Sequence, residues 1–341
     1  MRHQRNAWLD TLRALAIVMV VACHTNSAFF DRYEKPDHSW YKIVGLGSHG
    51  VDLFFVLSGW LLGNVLLREM NQSGTLNTLQ FWKRRWWRTL PAYFAVLGFT
   101  LLQRGLSGKL HWTDSTYFLF LQNYCYDQTP FFGISWSLCV EEHFYLLIAS
   151  SLFFVGNRKN AITALLLSLI DIPMICRSQG FYGNDLNTHV QIDACASGVL
   201  LAHLMQNYPE VWKHWLRTLA AHVPMAIAVL AIAAYRRYYA AGPDLPPEAW
   251  IYVSMVLISL SELNPFFRDS SSNTIIRYIA TRSYALYLVH VEGIALVNKF
   301  GFKNYWIYGA VVVAVGLLVA EVLHRFVEKP GMKYRDSRMK H

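Results

Sequence analysis

The chain has 341 residues, of which 54% are hydrophobic, 15% aromatic and only 16% charged, with a net charge of +9. Soluble domains carry about 25% charged residues, so this composition excludes an ordinary water-soluble core and describes a polytopic membrane protein. The basic excess needs no nucleic-acid partner, because it follows from loops on one side of a membrane.

A bilayer crossing needs about 20 mostly apolar residues. On that measure an all-α bundle of about ten transmembrane helices is expected, at roughly 8–29, 48–68, 86–103, 134–155, 160–176, 188–206, 217–238, 248–265, 275–297 and 304–327. With the N-terminus inside, the inner segments hold about twice as many Lys and Arg as the outer ones, which puts both termini in the cytoplasm. The start, MRHQR before an apolar run, resembles a signal peptide. Asp10 and Arg13 interrupt the run and no small-x-small site follows, so it reads as an uncleaved first span. The five cysteines show neither CxxC spacing nor companion ligands, so no metal is expected. Cys125 and Cys176 both fall on the outer side, which would permit a bridge between them.

The first span carries Arg13 and, eleven residues later, His24. At 1.5 Å per residue they lie about 16 Å apart along the axis and, after about three turns, point the same way. An ionisable group inside a span is a functional candidate. Arg13 alone also fits a snorkelling residue, and His24 alone a packed polar one. In the second span, GVDLFFVLSGWLLG, Asp52 requires a partner, while Ser58 and Gly59 read as a close-packing pair. FWKRRWWRTLPAYF then places Lys83, Arg84, Arg85 and Arg88 among Trp82, Trp86 and Trp87. Lys83, Trp86 and Trp87 fit an interfacial belt. Arg85 and Arg88 share a helix face and fit a phosphate clamp that Arg13 would complete.

Leu106–Gly133 is long and aromatic and reads as a re-entrant or surface segment. In ISWSLCVEEHFYLL, adjacent Glu141 and Glu142 cannot share a face. Ser137 and Tyr145 extend the face of Glu141, so Glu141 is expected to face the interior and Glu142 a neighbouring helix. His189 and Asp193, four apart, read as a structural pair. His290 lies in RSYALYLVHVEG, and the chain ends in the basic FVEKPGMKYR stretch. On this topology His24, Asp52, Glu141, Asp193 and His290 fall in the outer half of the membrane and the arginines at the inner surface. Such a bundle would join a phosphorylated cytoplasmic donor to an acceptor outside.

These residues resemble the acyltransferase 3 family of integral membrane acyltransferases. The Arg13–His24 pair is similar to that family's first-span signature. GVDLFFVLSGWLL, RRWWRTLP, WSLCVEEHFYLL, SYALYLVH and VEKP are similar to its further motifs in the same order. Cys139 and His143 stand where serine and glutamine are common in the family. The resemblance implies ten spans, acetyl- or another acyl-coenzyme A as donor, and O-acylation of a surface glycan or lipid-linked saccharide at a bacterial inner membrane. Some members carry an extra hydrolase-like domain, and a single transmembrane acyltransferase domain over 1–341 is expected here.

A sugar hydroxyl is a poor nucleophile until a base takes its proton. His24 is the candidate base, with Glu141 or Asp52 orienting it. Arg13, Arg84, Arg85 and Arg88 are candidates to bind the donor, and His290 to polarise the thioester or bind the acceptor. An acyl-enzyme on histidine or tyrosine stays open. The competing class is a transporter with a His/Asp/Glu proton relay, against which stand the arginine cluster and the lack of an internal repeat.

Overall fold

The computed structural model describes residues 6–33, 40–126, 130–181, 184–239, 244–263 and 273–338. Among them there is no strand. The long helices are α1 (Ala7–Phe30), α2 (Gly50–Ser73), α3 (Thr78–Leu106), α4 (Ser135–Val155) and α5 (Lys159–Gln179). They continue as α6 (Asp193–Asn207), α7 (Pro209–Tyr239), α8 (Pro247–Ser259), α9 (Thr274–Val297), α10 (Tyr305–Leu323) and α11 (Lys329–Arg338). Asparagine starts several of them. The side chains of Asn6, Asn77, Asn273 and Asn304 accept from first-turn N–H groups that the helix itself leaves unpaired.

Six helical stretches among the described residues are long and apolar enough to cross a membrane: Ala7–Phe30, Trp40–Ser73, Ser135–Val155, Lys159–Gln179, Pro209–Tyr239 and Tyr305–Arg338. The chain is thus a multi-pass membrane protein by length and composition. α6 and α8 are short, and α3 and α9 do not reach that apolarity. Residues 264 and 265, the end of the eighth expected span, lie outside the described residues.

Burial sorts the helices. In their most apolar windows, 56% of α1 and 61% of the Trp40–Ser73 stretch are buried, against 22% of α5 and 17% of α7. α1 and α2 therefore form the centre, while α5 and α7 turn apolar side chains such as Ile172, Ile175, Ile227 and Ile232 outward. Such faces suit lipid, since hydrocarbon is as apolar as the core they leave uncovered.

Close approach at the centre depends on small residues. An added Cβ on Gly59 would lie 1.9 Å from the Cys195 carbonyl oxygen, and one on Gly198 would lie 2.1 Å from that of Val56. α2 and α6 thus cross backbone to backbone, which confirms the packing role expected for Gly59.

Two expected boundaries move. α3 begins at Thr78 rather than near 86, because Asn77 caps it and the arginine-rich run is itself a good helix former. The basic residues therefore stand on the same continuous helix as the third span, as the shared face of Arg85 and Arg88 requires. The stretch ahead of α2 lies beside α1 rather than outside it: Cys23 Sγ donates to the Gly45 carbonyl, and a Cβ on Gly50 would lie 2.5 Å from the Ala16 oxygen. Asp52, two residues beyond Gly50, consequently sits beside the middle of α1 rather than near its outer end.

Leu106–Gly133 forms a 3-10 helix (Trp112–Leu119) and one further helical turn (Gln122–Cys125), with Trp112 and Leu119 exposed. Cys125 and Cys176 are both free. Asp193 pairs with Arg177, not with His189, at 2.5 Å. Arg177 also holds Glu248 of α8, so the ion pair ties α5, α6 and α8 together. No group of three or more metal-ligating residues occurs among the described residues.

Candidate active site

A cavity of about 590 Å³ runs along α2 from Val51 to Glu69, bordered by the early turns of α1, α3, α4 and α9. Its walls divide by chemistry. Val51, Phe54, Phe55, Leu57, Leu61 and Leu62 of α2 form an apolar side. Arg13, Arg84, Arg85, Arg88 and Arg335 supply five cations, against the carboxylates Glu69, Glu141 and Glu328. All four arginines expected to bind a donor line this cavity. Arg88 feels the charges of Arg85, Arg13 and Arg335, so these guanidinium groups are near neighbours. Like charges gathered in one cleft raise the local potential for an anion.

Each cation is held differently. Arg13 Nη1 donates to Asp10 Oδ1 at 2.9 Å, one turn back on α1. Arg85 is only 19% exposed and sits over the Tyr145 ring, 4.2 Å from its centroid. It also donates to the Tyr145 hydroxyl, and Glu141 Oε2 lies 3.8 Å from its Nη2. Its Nε is buried with no partner among the described residues, which leaves a donor for a ligand. Arg84 and Arg88 are exposed.

The two glutamates of α4 separate as expected. Glu141 faces the cavity. Glu142 faces α3, where its carboxylate accepts from Trp86 Nε1 and Thr89 Oγ1, each at 3.2 Å. Trp86 is therefore part of helix packing, stacked on Trp82, rather than a belt residue. Trp87 is exposed, as an interfacial residue would be, and also lies against Tyr334 of α11, with ring centroids 4.4 Å apart. Ser58, expected only to pack, lines the cavity and shares a 2.6 Å hydrogen bond with Tyr145.

His24 and His290 form a second cluster. His290 Nε2 lies 3.1 Å from His24 Nδ1. His24 Nδ1 is also 3.0 Å from the Val20 carbonyl, and His290 Nδ1 is 2.7 Å from the Tyr287 carbonyl. A carbonyl accepts only, so both Nδ1 atoms carry hydrogen, and His290 Nε2 is the lone pair that accepts from His24. The tautomer this selects for His24 has an unprotonated Nε2, and that atom makes no hydrogen bond with the described residues.

This corrects the expected orientation of His24. Asp52 is taken by His49 at 2.8 Å, and Glu141 stands by Arg85. His290, read from the sequence as a thioester or acceptor ligand, is the group that orients His24. The two clusters meet at Tyr287. Its side chain lines the cavity and shares a 2.6 Å hydrogen bond with Ser137, while its carbonyl holds His290.

Sequence reasoning missed several cavity residues. From the sequence Tyr145 only extends the face of Glu141. Tyr284, whose hydroxyl donates to the Thr89 carbonyl at 2.9 Å, was not singled out. His324 and Glu328, bonded across a π-helical turn, and Arg335 were missed as well. The available signal was Glu328 itself, a carboxylate four residues after a histidine at the end of an apolar run.

Residues 6–325 match the family model described as Acyltransferase domain, acyltransferase 3. The peptidoglycan O-acetyltransferase OatA of Listeria monocytogenes is 27% identical over 95% of this chain and 55% of its own length. The O-acetyltransferase OatA of Staphylococcus aureus is 25% identical over 95% of this chain and 57% of its own. The putative peptidoglycan O-acetyltransferase YrhL of Bacillus subtilis is 27% identical over 96% and 55%. The chain spans about half the length of these curated relatives. No solved structure matches it. The family match covers nearly the whole chain and includes Arg13, His24, Arg85 and His290, and the protein belongs to the acyltransferase 3 family.

Proposed function

We propose that this chain is a membrane O-acyltransferase that moves an acetyl group from acetyl-coenzyme A to a hydroxyl of a cell-surface carbohydrate. The observation that carries this reading is the arrangement of the two clusters. A cavity with five arginines and one apolar wall reaches Tyr287, one helical turn of α9 from His290, and His290 is bonded to His24, whose Nε2 makes no hydrogen bond with the described residues. Phosphates and a guanidinium fork are complementary, and the apolar wall suits the extended arm that carries the thioester.

The acceptor hydroxyl gives its proton to His24 Nε2 as its oxygen attacks the thioester carbonyl. The tetrahedral adduct collapses with loss of the thiolate, which takes that proton back from the imidazolium. His290 accepts from His24 Nδ1 and keeps the ring in the reactive tautomer. On this reading the arginine end faces the cytoplasm, both termini lie there, and the membrane is the bacterial inner membrane. Relatives named for peptidoglycan support a glycan acceptor.

The test uses the full chain in lipid nanodiscs with acetyl-coenzyme A and muropeptides or other surface glycans. Release of free thiol and a 42 Da gain on the glycan (one acetyl replacing one hydrogen, roughly, by mass spectrometry) are expected, with both lost in His24→Ala. A wild-type protein that binds no acetyl-coenzyme A would overturn the donor assignment. Turnover retained in a well-folded His24→Ala variant would overturn the base.

A further inference from the structure

The family match ends at Arg325, yet the cavity does not. Beyond that point Glu328, Met332 and Arg335 line it at four- and three-residue spacing, one face of a helix. α11 is seated there by a specific device. Pro91 inside α3 has no N–H, so the carbonyl of Trp87, four residues earlier, loses its helical partner. Gly331 lies over this gap: a Cβ there would come within 3.1 Å of the Trp87 oxygen and 3.3 Å of the Pro91 ring. The Trp87–Tyr334 contact adds to the seat.

Two polar features on this wall point at a ligand. Glu328 is 5% exposed and its Oε2 is bonded to His324, but its Oε1 is buried with no partner among the described residues. Arg335 is 25% exposed and lies close enough to Arg88 to repel it. Its ion pair is with neighbouring Asp336, which is 64% exposed. Exposed pairs of that kind are weak, so the guanidinium is available to a stronger anion.

We infer that α11, seated on α3, closes the donor cavity at its arginine end, and that Arg335 binds the 3′-phosphate of the acyl-coenzyme A carrier. This rests on the donor reading above. The direction of the donor follows from that reading: the thioester must approach Tyr287 and His24. The end of the carrier most distant from its thiol then remains at the mouth, where Arg335 stands. Arg85, deeper and anchored on Tyr145, is left for the diphosphate. Arg335 is thus a specificity-determining residue that distinguishes coenzyme A from its 3′-dephospho form.

The experiment measures binding of acetyl-coenzyme A and acetyl-3′-dephospho-coenzyme A to the full chain in nanodiscs, by isothermal titration. Wild type is expected to prefer acetyl-coenzyme A by about tenfold or more, the scale of one charge-assisted contact. Arg335→Ala should weaken acetyl-coenzyme A by that factor and leave the dephospho ligand unchanged, with Arg335→Lys intermediate. Lys333→Ala, an exposed neighbour that does not line the cavity, should match wild type. The ratio of the two affinities is insensitive to how much of a variant has folded. Equal weakening of both ligands, or none, in Arg335→Ala would overturn the assignment while leaving the donor reading intact. Failure of wild type to bind either ligand would instead overturn the donor reading.

Discussion

The two ends of the polar stripe on α1 have opposite characters. Around Arg13 the wall is charged and open: five arginines share a cavity with three carboxylates, and Arg85 Nε is left unbonded. Around His24 the groups are neutral and linked, with two imidazoles and two backbone carbonyls in one hydrogen-bonded chain. The first arrangement suits an anion, and the second holds one ring in one tautomer. On the proposed mechanism, donor binding and proton transfer rest on different physics about 16 Å apart on one helix, and should fail in different ways.

The sharpest separation comes from the histidine end. His24→Ala should lower turnover by about 10²–10⁴-fold, the range of general-base contributions, with donor affinity unchanged. A parallel loss of acetyl-coenzyme A binding would break the division between the two ends. His290→Ala should cost less, roughly ten- to hundredfold in kcat with KM for donor constant, because it removes only the acceptor that fixes the His24 ring. His290→Asn, which can still accept a hydrogen bond, should recover part of that loss; no recovery would point to bulk packing instead.

The arginine end should respond in KM. Arg85→Ala removes charge-assisted hydrogen bonds worth about 1.5–3 kcal/mol, so KM for donor should rise roughly ten- to hundredfold. An unchanged KM would reduce the cluster to a lipid anchor. Next in size are the two glutamates. Glu142→Ala strands Trp86 Nε1, while Thr89 Oγ1 keeps the Arg85 carbonyl as an acceptor, and should cost about 1–3 kcal/mol of stability, read as a lower thermal midpoint. Glu141→Gln should leave that midpoint near wild type and alter donor kinetics through Arg85. The smallest effect is expected for Lys83→Ala. Lys83 is exposed and outside the cavity, so donor KM should change less than about twofold. A larger change would extend the anion site onto the outer face of α3.

Much of this was legible from local pattern. Arg85 and Arg88 share a face wherever the helix goes, and so do Ser137, Glu141 and Tyr145, because 3.6 residues per turn decides it. That logic placed Glu141 toward the cavity and Glu142 toward α3. It failed where a partner lies far along the chain. Asp193 is four residues from His189 yet pairs with Arg177. Asp52 was assigned a depth by counting from a loop, and the segment before α2 turned out to run beside α1.

The sequence by itself determined that the chain crosses a membrane, that its cations gather at one end, and which residues of each helix travel together. Those properties follow from composition and helical period, which need no neighbour. Only the tertiary structure decided what meets what. His290 rather than a carboxylate orients His24, Tyr145 anchors Arg85, and α11 brings Arg335 to the cavity of α3. The reason is physical: the rotation and depth of each helix are set by contacts such as Gly59 on Cys195 and Gly331 on Trp87, between residues distant in sequence. Periodicity tells which side chains share a face, and packing alone tells what that face sees.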